Sequence, residues 1–271
     1  MSKLKILYVA SEVSPFLSTT DVADYVRALP ENMQQRGLEV RIFVPRFGVI
    51  NERKNRLHEV VRLSGISISV ADDEKPLMIK VASIPEAKLQ VYFIDNEDFF
   101  HRRRIYADKS GKYFEDNEER AIFFCKGVIE TVKKLGWAPD IVHCNDWMSS
   151  LIAPYLKITY KNDPLFKGSK ILYTIYDTLI PQKFNSDLIE KALIQDITGD
   201  MLHALQSCDC EGFVKVGAQY ADRVTLAQAA ARDSLNGSLD GIDYQIIERD
   251  EQTNDRYYEL YHEMTGVSVA P

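Results

Sequence analysis

An α/β fold with a mostly parallel, doubly wound sheet, a single Rossmann-like domain, is the architecture this sequence predicts. Three observations carry it. Residues 4–10 form an apolar run that leads through a polar loop into an amphipathic helix and then into a second apolar run at 40–44, which is one βαβ unit. Later apolar runs at 140–143, 170–175 and 223–226 alternate with helical periodicity, as the strands of a parallel sheet do. Between the two halves, residues 66–70, 77–84 and 89–94 read as successive strands, which adds a β-hairpin excursion.

Each element has its own signal. In the first helix, over 21–36, Val22, Val26, Leu29 and Met33 form one buried stripe, and Gly37 stops it. Pro45-Arg46-Phe47-Gly48 is a loop. Residues 66–70 alternate apolar and polar, and Asp72-Asp73-Glu74 is the turn of the hairpin. A loop over 95–115 carries Phe99, Phe100, Tyr106 and Tyr113, and Arg102-Arg103-Arg104 reads as a solvated run. Residues 117–135 form a strong helix closed by Gly136. Residues 147–160 read as helical, 185–220 as helical in pieces and 227–235 as a further helix. After Asn236 the pattern breaks at Gly237 and Gly241, and 246–265 reads as one amphipathic helix, with Ile246, Ile247, Tyr257, Tyr258, Leu260, Tyr261 and Met264 on its apolar side. The expected organisation is a Rossmann-like domain over 1–235, followed by a linker and a C-terminal amphipathic helix over 236–271 that packs on it.

Composition narrows the function classes. The chain has 271 residues, 45% of them apolar, which suffices for a real core. Its net charge of −7 and the absence of a dense basic block argue against nucleic acid as a partner. No apolar run approaches the roughly 18 residues that span a membrane. The N-terminus, Met-Ser-Lys-Leu-Lys, has no signal-peptide architecture. Cys125, Cys144, Cys208 and Cys210 have no metal-ligand spacing and read as structural thiols of a reducing, cytoplasmic compartment. No metal and no cofactor is expected. Asn236-Gly237-Ser238 fits the glycosylation pattern but means nothing in that compartment. Gly212 and Gly217 have the spacing of P-loop glycines, but Ala218-Gln219 stands where the lysine and hydroxyl would be needed.

Six ordered blocks resemble the N-terminal half of the bacterial glycogen synthase and plant starch synthase family. They are Val9-Ala10-Ser11-Glu12-Val13 with Pro15-Phe16; Ala28-Leu29-Pro30 with Arg36-Gly37; Pro45-Arg46-Phe47-Gly48; Tyr113 to Arg120, against the family's Y-x-D-N-x-x-R; Gly136 to Trp147; and Tyr220-Ala221-Asp222-Arg223-Val224-Thr225. The resemblance implies a GT-B fold of two Rossmann-like domains. It also implies a retaining transfer of glucose from ADP-glucose to an α-1,4-glucan, with the N-terminal half holding the acceptor. The glucan- or cleft-binding candidates it implies are Ser18, Thr19, Thr20, Asp21, Asp24, Tyr113, Asn117, Asn145, Asp146, Trp147, Tyr176 and Asp177.

Departures from the family pattern fall at these same positions. The family's phosphate-binding K-T-G-G-L-A-D is Ser18-Thr19-Thr20-Asp21-Val22-Ala23-Asp24 here. Ser18 replaces the lysine, and Thr20 and Asp21 put side chains where backbone N–H groups would approach a phosphate. A like-charge pair at ~4 Å and an effective dielectric near 20 costs about 4 kcal/mol, roughly three powers of ten in affinity. The other reading of Asp21 is an N-cap with Asp24 in the first turn. The family's T-I-H-N is Thr174-Ile175-Tyr176-Asp177, so a tyrosine stands at the position of the sugar-contacting histidine, either as a cleft residue or as a sugar ligand. Asp146 stands between strand and helix, either capping the helix or binding sugar hydroxyls. Met148 replaces a polar residue.

Since the family runs to well over 400 residues, the donor-binding domain is expected to be absent here, so no catalytic residue is assigned. Three functions stay open: a non-catalytic glucan-binding or regulatory protein; half of a split glucosyltransferase completed by a second chain; and a scaffold without sugar binding. The candidate partners are accordingly an α-1,4-glucan or maltooligosaccharide and a second protein chain. Tyr92, Phe99, Phe100, Tyr106 and Tyr113 are sugar-stacking material or core.

Overall fold

The computed structural model describes residues 3–84, 86–235, 237 and 239–267; the Asn236 and Ser238 of the glycosylation pattern lie outside them. In chain order the elements are β1 (Lys5–Val9), α1 (Asp21–Gln35), β2 (Glu39–Pro45), α2 (Glu52–Asn55), β3 (His58–Glu59), β4 (Ile66–Val70), β5 (Asp73–Ile84), β6 (Leu89–Asp95), α3 (Glu97–Phe100), α4 (Asn117–Leu135), β7 (Ile141–Asn145), α5 (Ile152–Pro154), β8 (Lys170–Ile175), α6 (Leu188–Ala192), α7 (Cys210–Tyr220), β9 (Arg223–Leu226), α8 (Ala230–Ser234), β10 (Gln245–Ile246) and α9 (Thr253–Thr265).

The strands form one sheet in the order β10-β9-β8-β7-β1-β2-β6-β5-β3, with β4 paired to β5. β10 through β6 run parallel, and β5, β4 and β3 are antiparallel additions at one end. The mostly parallel α/β architecture and its hairpin excursion therefore match the sequence-based expectation. Parallel strands covered on both faces must be apolar throughout, and β7 is buried at every position. α1 and α9 cover the face that carries Tyr8, His143 and Thr174, while α4 and α7 cover the opposite face.

α4 has the bounds its periodicity predicts. Gly136 closes it in the left-handed region at φ 60°, where a side chain would be strained. The hairpin turn is at Ala71-Asp72 rather than Asp72-Asp73-Glu74, because Asp73 and Glu74 already pair with Val70 and Ser69 and β5 begins at Asp73 rather than 77, and α3 lies within the loop expected over 95–115. Three helical segments also differ. Residues 147–160 are not one helix but a 3-10 turn (Trp147–Ser149), the short α5 and a π turn (Tyr155–Thr159). Ser149 Oγ donates to the Asn145 and Asp146 carbonyls, and Pro154 has no N–H to give, so the regular ladder is interrupted from both ends. The helix expected over 227–235 is limited to α8. The helix expected from 246 begins only at Thr253, because Ile246 belongs to β10 and Ile247 N donates to Leu226 O at 2.9 Å. The open edge of β9 takes these apolar residues as a strand before a helix can start.

Candidate functional site

The chain leaves β1 toward β2 on one side and later returns to β7 on the other. The topological switch point is therefore between β1 and β7. Open α/β sheets bind ligands in the crevice beyond the carboxyl ends of such a pair. Two connections meet there: residues 10–20 after β1, and Asp146 after β7.

Asp146 bridges them. Its Oδ2 accepts from Ser11 N at 2.8 Å and its Oδ1 from Met148 N at 2.8 Å. It caps the 3-10 turn in a left-handed backbone conformation, φ 63°. The carboxyl is 2% exposed, and burial pushes its pKa up to about 7 despite the two amide donors, with Glu12 adding a raising field. Capping is therefore its structural role, and its charge lies close to balance at neutral pH.

The first loop holds an anion of its own. Thr19 N and Thr19 Oγ1 donate to Glu12 Oε2, each at 2.8 Å. Thr20 N donates to Glu12 Oε1 at 2.8 Å, and Thr20 Oγ1 donates to the same oxygen. Glu12 is buried, while Ser18, Thr19, Thr20, Asp21 and Asp24 are exposed. Thr20, not Asp21, is the N-cap of α1, with Oγ1 accepting from Val22 N at 3.3 Å. A hydroxyl one residue earlier already reaches the first-turn amide, which leaves Asp21 as the first helical residue beside Asp24, where both favour the helix dipole.

Tyr176 lies at the end of β8 and is 3% exposed. Its hydroxyl donates to Asn145 Oδ1 at 2.9 Å, and its ring meets Tyr25 edge-on at 5.7 Å. Asn145 Nδ2 donates to the His143 carbonyl at 3.0 Å. Trp147 is buried, stacked on Phe184 with centroids 5.8 Å apart and edge-on to Phe213 at 5.7 Å. Asn145, Asp146, Tyr176, Thr19 and Thr20 thus gather at one sheet edge, with hydrogen bonds to one another, to Ser11 and to Glu12, while the side chains of Ser18, Asp21 and Asp24 are exposed.

Asn117 lies elsewhere. Its Nδ2 donates to the Tyr106 carbonyl at 2.8 Å and to Gln182 Oε1 at 2.7 Å, and its Oδ1 accepts from Arg120 Nη1 at 2.6 Å. Arg120 is fully buried among the rings of Phe47, Phe100 and Phe114, and burial pulls its pKa down to about 10. Tyr113 is half-buried in an antiparallel bridge to Ala107. Asp177 is exposed and lines an open depression of about 450 Å³ with Gln182, Lys183 and Asp209, beyond the end of β8. Of the aromatics offered as sugar platforms, Tyr92, Phe99 and Phe100 are core: Tyr92 stacks on Phe43 and the two phenylalanines pack on Phe123.

Sequence reasoning assigned no role to Glu12 or Tyr25. Glu12 carried a readable signal: a carboxylate two residues past the apolar run of 4–10, seven and eight residues ahead of two threonines. Among the described residues, no group of three or more His, Cys, Asp and Glu side chains is placed to hold a metal ion, and no helix is long and apolar enough to cross a membrane.

Comparison with known proteins agrees with this architecture. The family described as the starch synthase catalytic domain matches residues 5–241. A glycogen synthase of Chlorobium luteolum is 38% identical over 245 residues, covering 90% of this chain and 50% of the relative. One from Chlorobaculum tepidum is 38% identical over 226 residues, covering 82% and 45%. The chain thus spans about half the length of the curated relatives it matches. The catalytic domain of starch synthase IV from Arabidopsis thaliana, solved with ADP and acarbose, superposes with a TM-score of 0.71 at 18% identity, over 93% of this chain and 52% of that one. With a family match over most of its length and relatives of this identity, the chain belongs to the glycogen and starch synthase family.

Proposed function

We propose that this chain is a glucan-binding member of the family that does not itself grip a nucleotide diphosphate. The carrying observation is the first loop, where Ser18, Thr20 and Asp21 stand for the family's lysine and two glycines and the Glu12 carboxylate takes the backbone and side-chain donors of both Thr19 and Thr20. A phosphate arriving at this loop would have to displace a buried carboxylate or sit against its charge and that of Asp21, and either is unfavourable. No positive residue stands at position 18 to offset this. The chain's role is then non-catalytic or regulatory, with the α-1,4-glucan as its ligand.

The depression beyond β8 suits a glucan. The exposed Asp177 and the Lys183–Asp209 ion pair supply carboxylate and ammonium groups that bind vicinal sugar hydroxyls, while the Gln182 amide is already held by Asn117 and the Phe114 carbonyl. Calorimetry with maltoheptaose and, separately, with ADP-glucose tests the reading. Maltoheptaose is expected to give saturable heat that Asp177→Ala reduces, and ADP-glucose none. Saturable ADP-glucose binding would overturn the argument from Glu12, and an absence of maltoheptaose binding would overturn the glucan assignment.

A further inference from the structure

A groove of about 480 Å³ lies between the outer edge of β4, helix α4 and residues 193–195. It shares no lining residue with the depression beyond β8. β4 pairs only with β5, and in that antiparallel register Ser67 stands opposite Pro76. Pro76 has no N–H, and its carbonyl is turned to the far side, where Asn96 Nδ2 donates to it at 2.9 Å; this is therefore a non-hydrogen-bonded pair, and the N–H and C=O of Ser67 point away from β5 toward the open edge. Ser69, two residues on, presents the same edge, where Lys126 Nζ donates to its carbonyl at 2.8 Å. Lys134 Nζ donates to the Ser64 carbonyl at 2.9 Å. Lysines from α4 therefore occupy carbonyls on both sides of Ser67, while the peptide groups of Ser67 itself have no partner among the described residues. An unpaired strand edge of this kind is a template for another strand.

The rest of the groove indicates what that strand carries. Tyr160, Leu193 and Ile194 make an apolar wall, with Leu193 37% exposed. Lys126 is half-buried beside them and makes no ion pair among the described residues. Burial lowers its pKa to about 8, and the field of Glu74 does not offset the loss. The groove also carries Glu130, but its carboxylate is already held by Lys133 Nζ at 2.9 Å and the Tyr160 hydroxyl at 3.0 Å, so the half-buried ammonium of Lys126, with one carbonyl partner, is the charge in this mixed groove left to a ligand carboxylate.

We propose that this groove binds an extended acidic peptide of a partner protein, which adds as a strand to β4 at Ser67 and sets a carboxylate on Lys126. Main-chain bonds to Ser67 supply the affinity. The alternating apolar side chains against Leu193 and Tyr160, together with the acidic one on Lys126, supply the specificity.

Fluorescence polarisation with the full chain and a labelled peptide of alternating valine and glutamate tests this. Saturable binding is expected. It should be lost with the lysine-for-glutamate peptide and with a peptide N-methylated at alternate residues, neither of which alters the protein. Lys126→Met should weaken binding about tenfold. Ser67→Pro, which removes the outward N–H at an edge position where proline is tolerated, should abolish it while the circular dichroism spectrum is kept. Failure to saturate below about 1 mM, equal binding of the N-methylated peptide, or displacement by maltoheptaose would each overturn the proposal, the last by making the groove a glucan site.

Discussion

The hydroxyl of Tyr261 lies 2.7 Å from Nδ1 of His143 and 2.8 Å from the hydroxyl of Tyr8. One side chain of the last helix thereby hydrogen-bonds two neighbouring strands, β7 and β1, at the centre of the sheet. The chain of bonds continues: His143 Nε2 is 2.7 Å from Thr174 Oγ1, which is 2.7 Å from Thr225 Oγ1, and the Tyr257 hydroxyl is 3.2 Å from the latter. A neutral imidazole donates from one nitrogen and accepts at the other, so it can join both halves. The network fixes where α9 sits, because a shift along its axis would leave several buried polar groups unpaired.

Tyr261→Phe keeps the ring and removes the link. Two buried partners then lack a bond, which should lower the unfolding free energy by about 1–3 kcal/mol. Urea denaturation monitored by tryptophan fluorescence is the measurement; an unchanged midpoint would show that α9 is held by apolar packing alone.

His143 also predicts a pH dependence. Burial holds its folded pKa at about 3, well below the ordinary 6.5. The unfolded chain therefore binds the proton first, and stability present above pH 6.5 is lost as pH falls toward 3, at about 1.4 kcal/mol per unit. Asp146 acts with the opposite sign. Its pKa is raised from 3.8 to about 7, so its contribution is complete below 3.8 and is lost as pH rises through 7. The two slopes oppose each other between about pH 4 and 6.5. The difference in unfolding free energy between the natural chain and His143→Gln should therefore shrink as pH is lowered through that window; a difference that grows toward acid would contradict a neutral buried imidazole.

Glu12→Ala removes the acceptor for four donors of Thr19 and Thr20. Because that loop is exposed, water replaces part of what is lost, and the cost should be about 1–2 kcal/mol. Hydrogen exchange at the Thr19 and Thr20 amides should accelerate by tenfold or more, on the order of what 1.4 kcal/mol allows. Protection unchanged from the natural chain would mean the amides have another partner.

Gly48 packs against the backbone of the loop that follows α3, and Gly48 N donates to the Phe100 carbonyl at 2.6 Å. A Cβ there would collide with the carbonyl of Arg102, a backbone atom that cannot step aside like a flexible side chain. Gly48→Ala should destabilise by about 1–3 kcal/mol, as overpacking does. Thermal unfolding checks it, and a melting temperature within error of the natural chain would show that the loop yields.

The sequence alone determined the sheet, the hairpin and the long helices, since each rests on local patterns: the stripe of Val22, Val26, Leu29 and Met33, the alternation over 66–70, and glycine after α4. It also exposed the altered loop at Ser18, Thr20 and Asp21, because substitutions within a motif are visible residue by residue. Only the tertiary structure decided what those residues do. Thr20 rather than Asp21 caps α1, and Glu12 fills the loop's donors, because the bend after β1 brings a carboxylate back under amides seven and eight residues away. The strand at Ile246 forms because the edge of β9 offers unpaired backbone groups, a long-range opportunity that outweighs the helical spacing of the apolar residues. Tyr257 and Tyr261 read as part of an apolar stripe, but their hydroxyls meet His143, Tyr8 and the threonines of β8 and β9. Periodicity reports which face of a helix is buried; it does not report which polar groups of a distant sheet will lie beneath it.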